Sequence, residues 1–378
     1  MIGLPPFLSF SENERTLQLK ILMIILRTVK NISSLNIAAS VLLFLAAILA
    51  AVVANSSLSP VYQDFLLQEL HLRIGNFNLF SHGGHPLKMI EFINDCLMTV
   101  FFLAVGLEIK RELLVGELSS VRKAALPFIA ACGGMVVPVV IYALSVASGT
   151  PETRGMAIPM ATDIAFSLGV LSLLGKRVPL SLKIFLTAFA VVDDIGGILV
   201  IALFYSADVA YGYLIAAAVL YVFLYYMGKF GVTQKIFFLF FGVIIWYLFL
   251  QSGIHSTISG VILAFVIPAR PRLDAGKYIE RIRDIIGEFP VSKSDNIVLT
   301  NAQIATLKQV ERASDYVISP LQSLEDNLHG VVSFVILPLF AFANAGVVFS
   351  GSGSIVGDVS IAVAAGLLLG KFLGIYLF

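Results

Sequence analysis

Charged side chains are scarce in this sequence of 378 residues. Only 13% of the residues are Asp, Glu, Lys or Arg, against about 25% in an ordinary soluble domain. The 24 acidic and 25 basic side chains are too few to cover a soluble protein of this size, and a net charge of +1 gives no electrostatic basis for binding DNA or RNA. The composition therefore excludes a cytosolic enzyme, a disordered chain and a nucleic-acid-binding protein.

Cysteine is also nearly missing, since the sequence holds only Cys96 and Cys132. Both lie in apolar runs, so we interpret them as reduced packing residues and not as a disulfide framework. The pattern of a cleavable signal peptide is lacking too. Residues 1–34 carry charges throughout, and the apolar stretch 21–26 is too short for the hydrophobic region of such a peptide. We expect residues 1–34 to form a cytoplasmic N-terminal segment.

Long apolar runs dominate what is present. Hydrophobic residues make up 58% of the chain, and its mean hydropathy is +0.94. A helix needs about 20 apolar residues to cross the hydrocarbon core of a bilayer. The sequence therefore predicts an all-α polytopic membrane protein embedded in the lipid bilayer. Its ten candidate spans are 35–54, 89–109, 124–147, 156–175, 180–205, 210–228, 233–250, 252–269, 328–349 and 359–378.

The basic residues of the loops predict the orientation of these spans. With the N-terminus inside, thirteen lie on the cytoplasmic side without counting the long loop 270–327, and three lie outside: Arg73, Lys88 and Arg154. A membrane domain then covers 35–269 (spans one to eight), and a second part covers 328–378 (spans nine and ten). We expect 270–327 to be a cytoplasmic insertion with an amphipathic helix around 277–287. The outer segment 55–88 contains either a short hairpin or a plain loop.

Two adjacent carboxylates lie in the middle of one predicted span, in the run AFAVVDDIGGILV. Charges at membrane depth cost at least about 2.5–3.5 kcal/mol, and they are usually functional. Two close carboxylates resist ionising together, so one holds a proton readily, and a deprotonated carboxylate is a hard oxygen ligand for a small cation. Asp193 and Asp194 are therefore candidates for a site where a proton and a cation compete. The alternative is a pair ion-bridged to a neighbouring helix.

Asp163 and Lys371 are the other ionisable residues deep in predicted spans. Pro159 disrupts the helix before Asp163, so Asp163 and Thr162 could serve the ends of a broken helix, although a kinked helix with a hydrogen-bonded Asp also fits. Lys371 lies beside glycines that recur every four residues, where another backbone can approach closely. It could neutralise carbonyl ends, pair with Asp163 or Asp194, or extend towards the inner surface.

Two further groups lie near the ends of spans. His255 begins the run HSTISG, where a structural hydrogen bonder and a proton sensor are both open interpretations. Glu108, Lys110, Arg111 and Glu112 form an alternating cluster at the inner end of another span. A solvated helix terminus explains that cluster as well as a functional site does.

Taken together, these motifs resemble a known family. The run ATDIAF, then VVDDIG, then FANAGV closely resembles the core of the NhaA family of sodium/proton antiporters. The segments NDCLMTVFFLAVGLEIKRELLVGEL, SGIHSTISGVILAFVIP and GLLLGKFLGI are similar to the same family. The resemblance covers nearly all of residues 35–378 apart from the insertion. It implies an NhaA-like fold, with inverted repeats and a helix broken at mid-membrane.

The resemblance also implies an activity and a site. The family exports Na+ or Li+ from bacteria in exchange for H+, electrogenically and across the inner membrane, which regulates intracellular pH and sodium; no cofactor beyond these ions is implied. Asp193 and Asp194 match the cation- and proton-binding pair, and Asp163, Thr162 and Lys371 match the residues that compensate the broken helix. The positions linked to the pH response are Glu108, Arg111, Glu112, His255 and Glu325. The outer hairpin 68–80 matches a segment that pairs subunits into a homodimer.

Three departures accompany the resemblance. The loop before Leu324 is about 50 residues long in place of a short connection, and Asp326 stands where the family has a histidine. The sequence ends at Phe378, so the last two of the usual twelve spans are expected to be missing. A truncated, inactive or regulatory member of the family is therefore an alternative to an active exchanger. A passive cation channel is a further alternative. A membrane aspartyl protease also needs two buried carboxylates, but the Gly-x-Gly-Asp signature of such proteases does not occur.

Overall fold

Long apolar helices make up most of the structure, a computed structural model that describes residues 38–74, 77–82, 85–146, 151–160, 178–204, 209–270, 275–287, 300–349 and 357–378. Six of the described helices are long and apolar enough to cross a membrane, or seven spans if the bent pair α1 and α2 counts as one. α5 is also 25 residues long, which exceeds the roughly 20 residues that a crossing needs. The expectation of an all-α polytopic membrane protein is confirmed.

The described helices are numbered here in chain order. They are α1 (Ala38–Ala54), α2 (Ser59–Leu67), α3 (Met89–Val115), α4 (Val121–Ser145), α5 (Leu180–Phe204), α6 (Tyr211–Lys229), α7 (Lys235–Ser252), α8 (Thr257–Val266), α9 (Ala275–Gly287), α10 (Asn301–Val317), α11 (Pro320–Asn344) and α12 (Asp358–Leu377). A 3₁₀ segment, Pro151–Met160, precedes α5. Three π-helical segments interrupt these helices: Phe92–Leu97 in α3, Val332–Ile336 in α11 and Gly366–Gly370 in α12.

Two predicted spans differ from the helices that form. The first apolar run is followed by a bend of 113° between α1 and α2. Pro60 lies in the first turn of α2 and has no N–H to bond back to the preceding turn, so α1 cannot continue through it. Residues 252–269 yield the ten-residue α8, about 15 Å long, because Gly253 adopts a left-handed conformation and ends α7. α8 alone is therefore too short to cross the bilayer.

Two small antiparallel hairpins connect α2 to α3. β1 (Arg73–Ile74) pairs with β2 (Phe77–Asn78), and β3 (Ser81–His82) pairs with β4 (His85–Pro86). An isolated bridge between Glu69 and Lys88 closes the base of this region. The outer segment is therefore a paired structure in its described parts and not a plain loop.

Two of the four apolar clusters among the described residues hold the helices that carry the candidate polar groups. The larger cluster joins α3, α6, α7, α8 and α11 through buried residues that include Leu103, Leu224, Phe238, Leu263 and Leu324. The other joins α4 and α5 through Ala130, Ala131, Phe189, Ala190 and Val192, with Ile375 of α12 packed against it. The second cluster surrounds the paired aspartates of α5, and it therefore fixes the helix that carries the candidate site.

Candidate functional site

Close backbone contact between α4 and α12 positions the candidate site. A Cβ atom added to Gly370 would lie 2.7 Å from the Cα atom of Pro138, and one added to Gly374 would overlap the backbone of Gly133. The glycine face inferred from the sequence is therefore a contact face between two helices. Lys371 directly follows the π-helical segment Gly366–Gly370, and the close contact on both sides of it fixes the direction of its side chain.

Lys371 bridges α12 to two other segments. Its Nζ donates to Asp193 Oδ2 at 2.9 Å and also to the carbonyl oxygen of Met160, the last described residue of the 3₁₀ segment. The sequence left open whether Lys371 neutralises carbonyl ends, and one of its acceptors in the structure is a backbone carbonyl. The carboxylate that it bonds among the described residues is that of Asp193, which faces α12, whereas Asp194 points about 100° away on the same helix.

The paired carboxylates differ in their surroundings. Asp193 is only 4% exposed, whereas Asp194 is partly buried. Thr162 and Asp163, the expected broken-helix residues, lie outside the described residues. A carboxylate held by an ammonium group in such a buried position can exchange that partner for a proton or for a hard cation, because all three compete for the same oxygen atoms.

A second polar cluster joins α3 to α11. Arg111 Nε donates to Glu325 at 3.0 Å and 3.2 Å, one bond to each carboxylate oxygen, and Arg111 Nη1 lies 2.9 Å from Glu112 Oε1. Glu108 lies one turn before Glu112 on the same face of α3. Four of the five residues that the sequence links to the pH response therefore lie together. The fork of the guanidinium accounts for this arrangement, because it can bond two carboxylates at once.

Lys110 is a polar residue whose role the sequence did not reveal. Its Nζ donates to the carbonyl oxygens of Ala264 at 3.3 Å and Phe265 at 2.7 Å, and also to that of Ile267. These carbonyls belong to the last turn of α8 and its end, where a cation is favoured by the helix dipole. The alternating charges around Lys110 marked the region, but only the packing of α3 on α8 shows which carbonyls it serves.

His255 does not join this cluster. It lines a cavity of about 660 Å³ together with His82, His85, Glu91 and Asp95. Asp95 and Arg111 are sixteen residues apart on α3, which corresponds to about 24 Å along a helix axis. His255 is thus near the opposite end of α3 from the Arg111 cluster.

Asp95 accepts several hydrogen bonds at the end of α3 that lies near His255. It lies in the π-helical segment of α3, and its carbonyl oxygen accepts hydrogen bonds from Trp246 Nε1 and Ser256 Oγ, both at 3.2 Å. Ser256 Oγ also bonds Asp95 Oδ1 at 3.2 Å. No motif in the sequence pointed to a role for Asp95. The histidines of the β3–β4 hairpin carried no motif that would have joined them to it.

Comparison with known proteins places these residues in context. The family model described as Na+/H+ antiporter 1 matches residues 30–378. A Na(+)/H(+) antiporter NhaA of Bacteroides thetaiotaomicron is 76% identical over 356 residues, which are 94% of this chain and 81% of that protein.

More distant relatives carry the same name. An NhaA of Phocaeicola vulgatus is 61% identical over 333 residues, covering 88% of this chain and 74% of the relative. One of Saccharophagus degradans, named NhaA 1, is 43% identical over 339 residues, covering 88% and 72%. The similarity thus extends across both apolar clusters and the residues around Lys371.

Proposed function

This chain belongs to the Na+/H+ antiporter 1 family, and from that premise we propose that it exports Na+ or Li+ across the bacterial inner membrane in exchange for H+. The exchange is electrogenic, with more protons entering than cations leaving. Asp193 and Asp194 carry the cation and the proton in turn. Lys371 holds the site when the cation is absent, and Asp163 and Thr162 complete it.

The contact between Lys371 and Asp193 is the observation that carries this proposal. A buried ammonium–carboxylate pair gains little net free energy, because both charges lose their hydration. A cation or a proton can therefore replace Lys371 at the Asp193 carboxylate. A cation that enters from the cytoplasm displaces Lys371 from the carboxylate and occupies the same oxygens. A proton that enters from outside neutralises the carboxylate and releases the cation. Alternating access around these groups couples the two ions, because the oxygens cannot hold both.

The Arg111 cluster supports a second part of the proposal. Glu108, Glu112 and Glu325 surround one guanidinium at the junction of α3 and α11. Protonation of any of these carboxylates weakens its bond to Arg111, so we assign this cluster, with His255 at the outer end, to the response of the exchanger to pH.

The remaining expectations complete the proposal. The N-terminus is cytoplasmic, which places the Arg111 cluster on the inner side of the bilayer. Two copies pair through the hairpin region 68–80, whose β1–β2 strands are short and whose edges are open to another strand. Nothing in the comparisons favours an inactive member or a passive channel over an exchanger.

Inverted membrane vesicles test the proposed exchange. Vesicles that have been loaded with protons are expected to lose their pH gradient when Na+ is added. Asp194→Asn should abolish this response, because an amide neither binds a proton near neutral pH nor carries a negative charge. The matched control is Asp358→Asn. Asp358 is an exposed carboxylate at the start of α12, the helix that carries Lys371, and its loss should leave the response intact.

Two results would contradict the proposal. An undiminished response in Asp194→Asn would refute the assignment of that carboxylate. Flux of Na+ that continues at the same rate after the proton gradient has been collapsed by an uncoupler, without any proton movement, would show a channel in place of an exchanger.

A further inference from the structure

The two turns of α5 on either side of Asp193 differ in the side chains that they offer. On the side of the helix within about 60° of Asp193, the turn before it presents Phe189 and Ala190, and the turn after it presents Gly196 and Gly197. Phe189 and Ala190 are only 2% and 1% exposed and belong to the apolar cluster of α4 and α5. Packed side chains therefore close the helix surface before Asp193, whereas the surface after it consists of bare backbone.

Met135 of α4 covers one of these two glycines. A Cβ atom added to Gly196 would overlap the Sδ atom of Met135 and lie 2.6 Å from its Cε atom, so the end of this side chain lies directly on the backbone of α5. Gly196 is three residues after Asp193, and residues at this spacing are neighbours on a helix surface. The thioether therefore occupies the space next to Asp193 that a side chain at position 196 would otherwise fill.

The second glycine has no such cover among the described residues. A Cβ atom added to Gly197 meets no described atom within 4 Å. At 100° per residue, Gly197 lies about 40° from Asp193 and about 60° from Asp194, and thus between the two carboxylates when viewed along the helix axis. Gly196 and Gly197 therefore form a groove that starts at the carboxylate pair, and Met135 fills one side of it.

The chemistry of methionine suits a closure that can move. The side chain of Met135 is unbranched, rotates about three bonds and is partly buried here, so its end can leave Gly196 without a shift of the backbone. Hard cations such as Na+ and Li+ prefer oxygen ligands to the soft sulfur of a thioether. Met135 therefore blocks the groove without competing with the carboxylates for the cation.

We propose that the groove at Gly196 and Gly197 is the outer passage of the exchange site and that Met135 is the side chain that closes it. With the N-terminus in the cytoplasm, α5 runs from the inner to the outer side of the bilayer, so the groove lies on the outer side of the aspartates. Met135 keeps water and ions from the outer side while Lys371 holds Asp193, and it rotates away when the site opens outwards. This inference rests on the proposed exchange and adds the residue that controls one of its two entrances.

The labelling of a cysteine in the groove tests this closure in the full chain. Gly197→Cys is combined with Cys96→Ala and Cys132→Ala, and the reconstituted protein is exposed on its outer side to a thiol reagent that does not cross membranes. Adding Met135→Ala should raise the labelling rate at least about fivefold, because the shortened side chain leaves the groove unfilled. The matched control is Met135→Leu, which conserves the volume of the side chain and should keep the rate low.

A displaced thioether should have the same effect as a missing one. Gly196→Ala inserts a methyl group where the end of Met135 lies, and this flexible end can move aside, so the change shifts the thioether while the fold is retained. In the same assay, Gly196→Ala should raise the labelling rate at position 197 as Met135→Ala does. The control is Gly212→Ala in α6, where an added Cβ atom meets no described atom within 4 Å and the rate should stay low.

Two results would overturn the assignment of Met135. One is a labelling rate that neither Met135→Ala nor Gly196→Ala increases, and the other is a reagent that reaches position 197 from the inner side alone. Labelling needs no transport, so it is independent of the exchange assay. Vesicles of the unaltered protein that keep their pH gradient when Na+ is added would refute the proposed exchange, whereas faster labelling of the Met135→Ala variant would still show that Met135 closes the groove.

Discussion

Lys371 joins two acceptors that belong to different segments, the carboxylate of Asp193 and the carbonyl of Met160. Both charged side chains are buried, with exposed fractions of 13% for Lys371 and 2% for Asp193. Such a pair adds little to the free energy of unfolding when the reference is a protein in which both partners are replaced by apolar residues. The loss of only one partner, however, leaves an isolated buried charge. The stability of the protein is therefore more sensitive to single changes at these positions than to a double change.

We predict that Lys371→Met lowers the free energy of unfolding by about 3–5 kcal/mol, because Asp193 is left without its cation. Adding Asp193→Asn to this variant should restore most of the loss. Chemical denaturation of the purified protein in detergent measures the three values. A double variant that is no more stable than Lys371→Met alone would show that the pair is not coupled in the folded protein.

The sequence identified the ionisable residues at this scale but not all of their partners. Lys371 stood out because it is a cation within a predicted span, and that signal does not depend on the fold. Its choice of Asp193 depends on how α5 and α12 are rotated against each other. Both helices pack on α4, in the case of α12 through the contact of Gly370 with Pro138. Asp163 and Thr162 lie outside the described residues, so their assignment stays a prediction.

On the scale of the elements, the position of α8 against α3 also depends on close backbone packing at a glycine. A Cβ atom on Gly260 would lie 3.0 Å from the backbone nitrogen of Leu103 and would overlap the carbonyl of Thr99. Lys110 of α3 also holds the C-terminal end of α8, because its Nζ donates to the last carbonyls of that helix. α8 is only ten residues long, so these two contacts decide its position.

We predict that Gly260→Ala destabilises the protein by about 1–3 kcal/mol, because the added methyl group forces α3 and α8 apart. The matched control is Gly330→Ala in α11, where a Cβ atom meets nothing within 4 Å. That change should be neutral or stabilising by up to about 1 kcal/mol, since alanine loses less conformational freedom in a helix. Thermal unfolding in detergent compares the two variants, and equal midpoints would contradict the prediction.

Element type was easier to predict than element ends. Continuous apolar runs of helical length can only be satisfied as helices in lipid, so the all-helical character followed directly from composition. The bend after α1 and the short α8 depend on Pro60 and Gly253, single residues that interrupt otherwise continuous apolar runs. The π-helical segments left no signal in the sequence, because tertiary bonds such as those at the carbonyl of Asp95 stabilise them.

On the scale of the whole molecule, the insertion that carries α9 and α10 leaves the bundle of apolar helices and returns to it at residues that lie close together. We predict that replacing residues 270–318 by a short Gly-Ser linker preserves Na+/H+ exchange in inverted vesicles. The bond between Leu321 and Pro268 already closes the gap, and Ser319 is retained because its Oγ caps α11 by accepting from the N–H of Gln322 at 3.2 Å.

The shortened chain with Asp194→Asn serves as the inactive reference for that experiment. Loss of exchange in the shortened chain, with normal amounts of folded protein in the membrane, would show that the insertion takes part in transport. Preserved exchange would show that transport does not need the insertion.

Membership of the antiporter family was visible in the sequence, and the comparisons confirm it. Motifs in a fixed order carried that conclusion, because their spacing reflects a whole fold and not one site. The insertion shows the limit of such reasoning. None of the family motifs lies within the insertion. Its attachment is seen only in the structure, from the hydrogen bond between Leu321 and Pro268.

The π-helical turn before Lys371 also bears on how this gene tolerates insertions and deletions. A π turn holds one residue more than an α turn, so deleting a single codon within 366–370 leaves an ordinary turn and keeps the lysine aligned with the first half of α12. Deleting a codon elsewhere between Asp358 and Lys371 swings the lysine by about 100° away from its acceptors. Among related proteins, we therefore expect single-residue deletions in this helix only within the π-helical segment Gly366–Gly370.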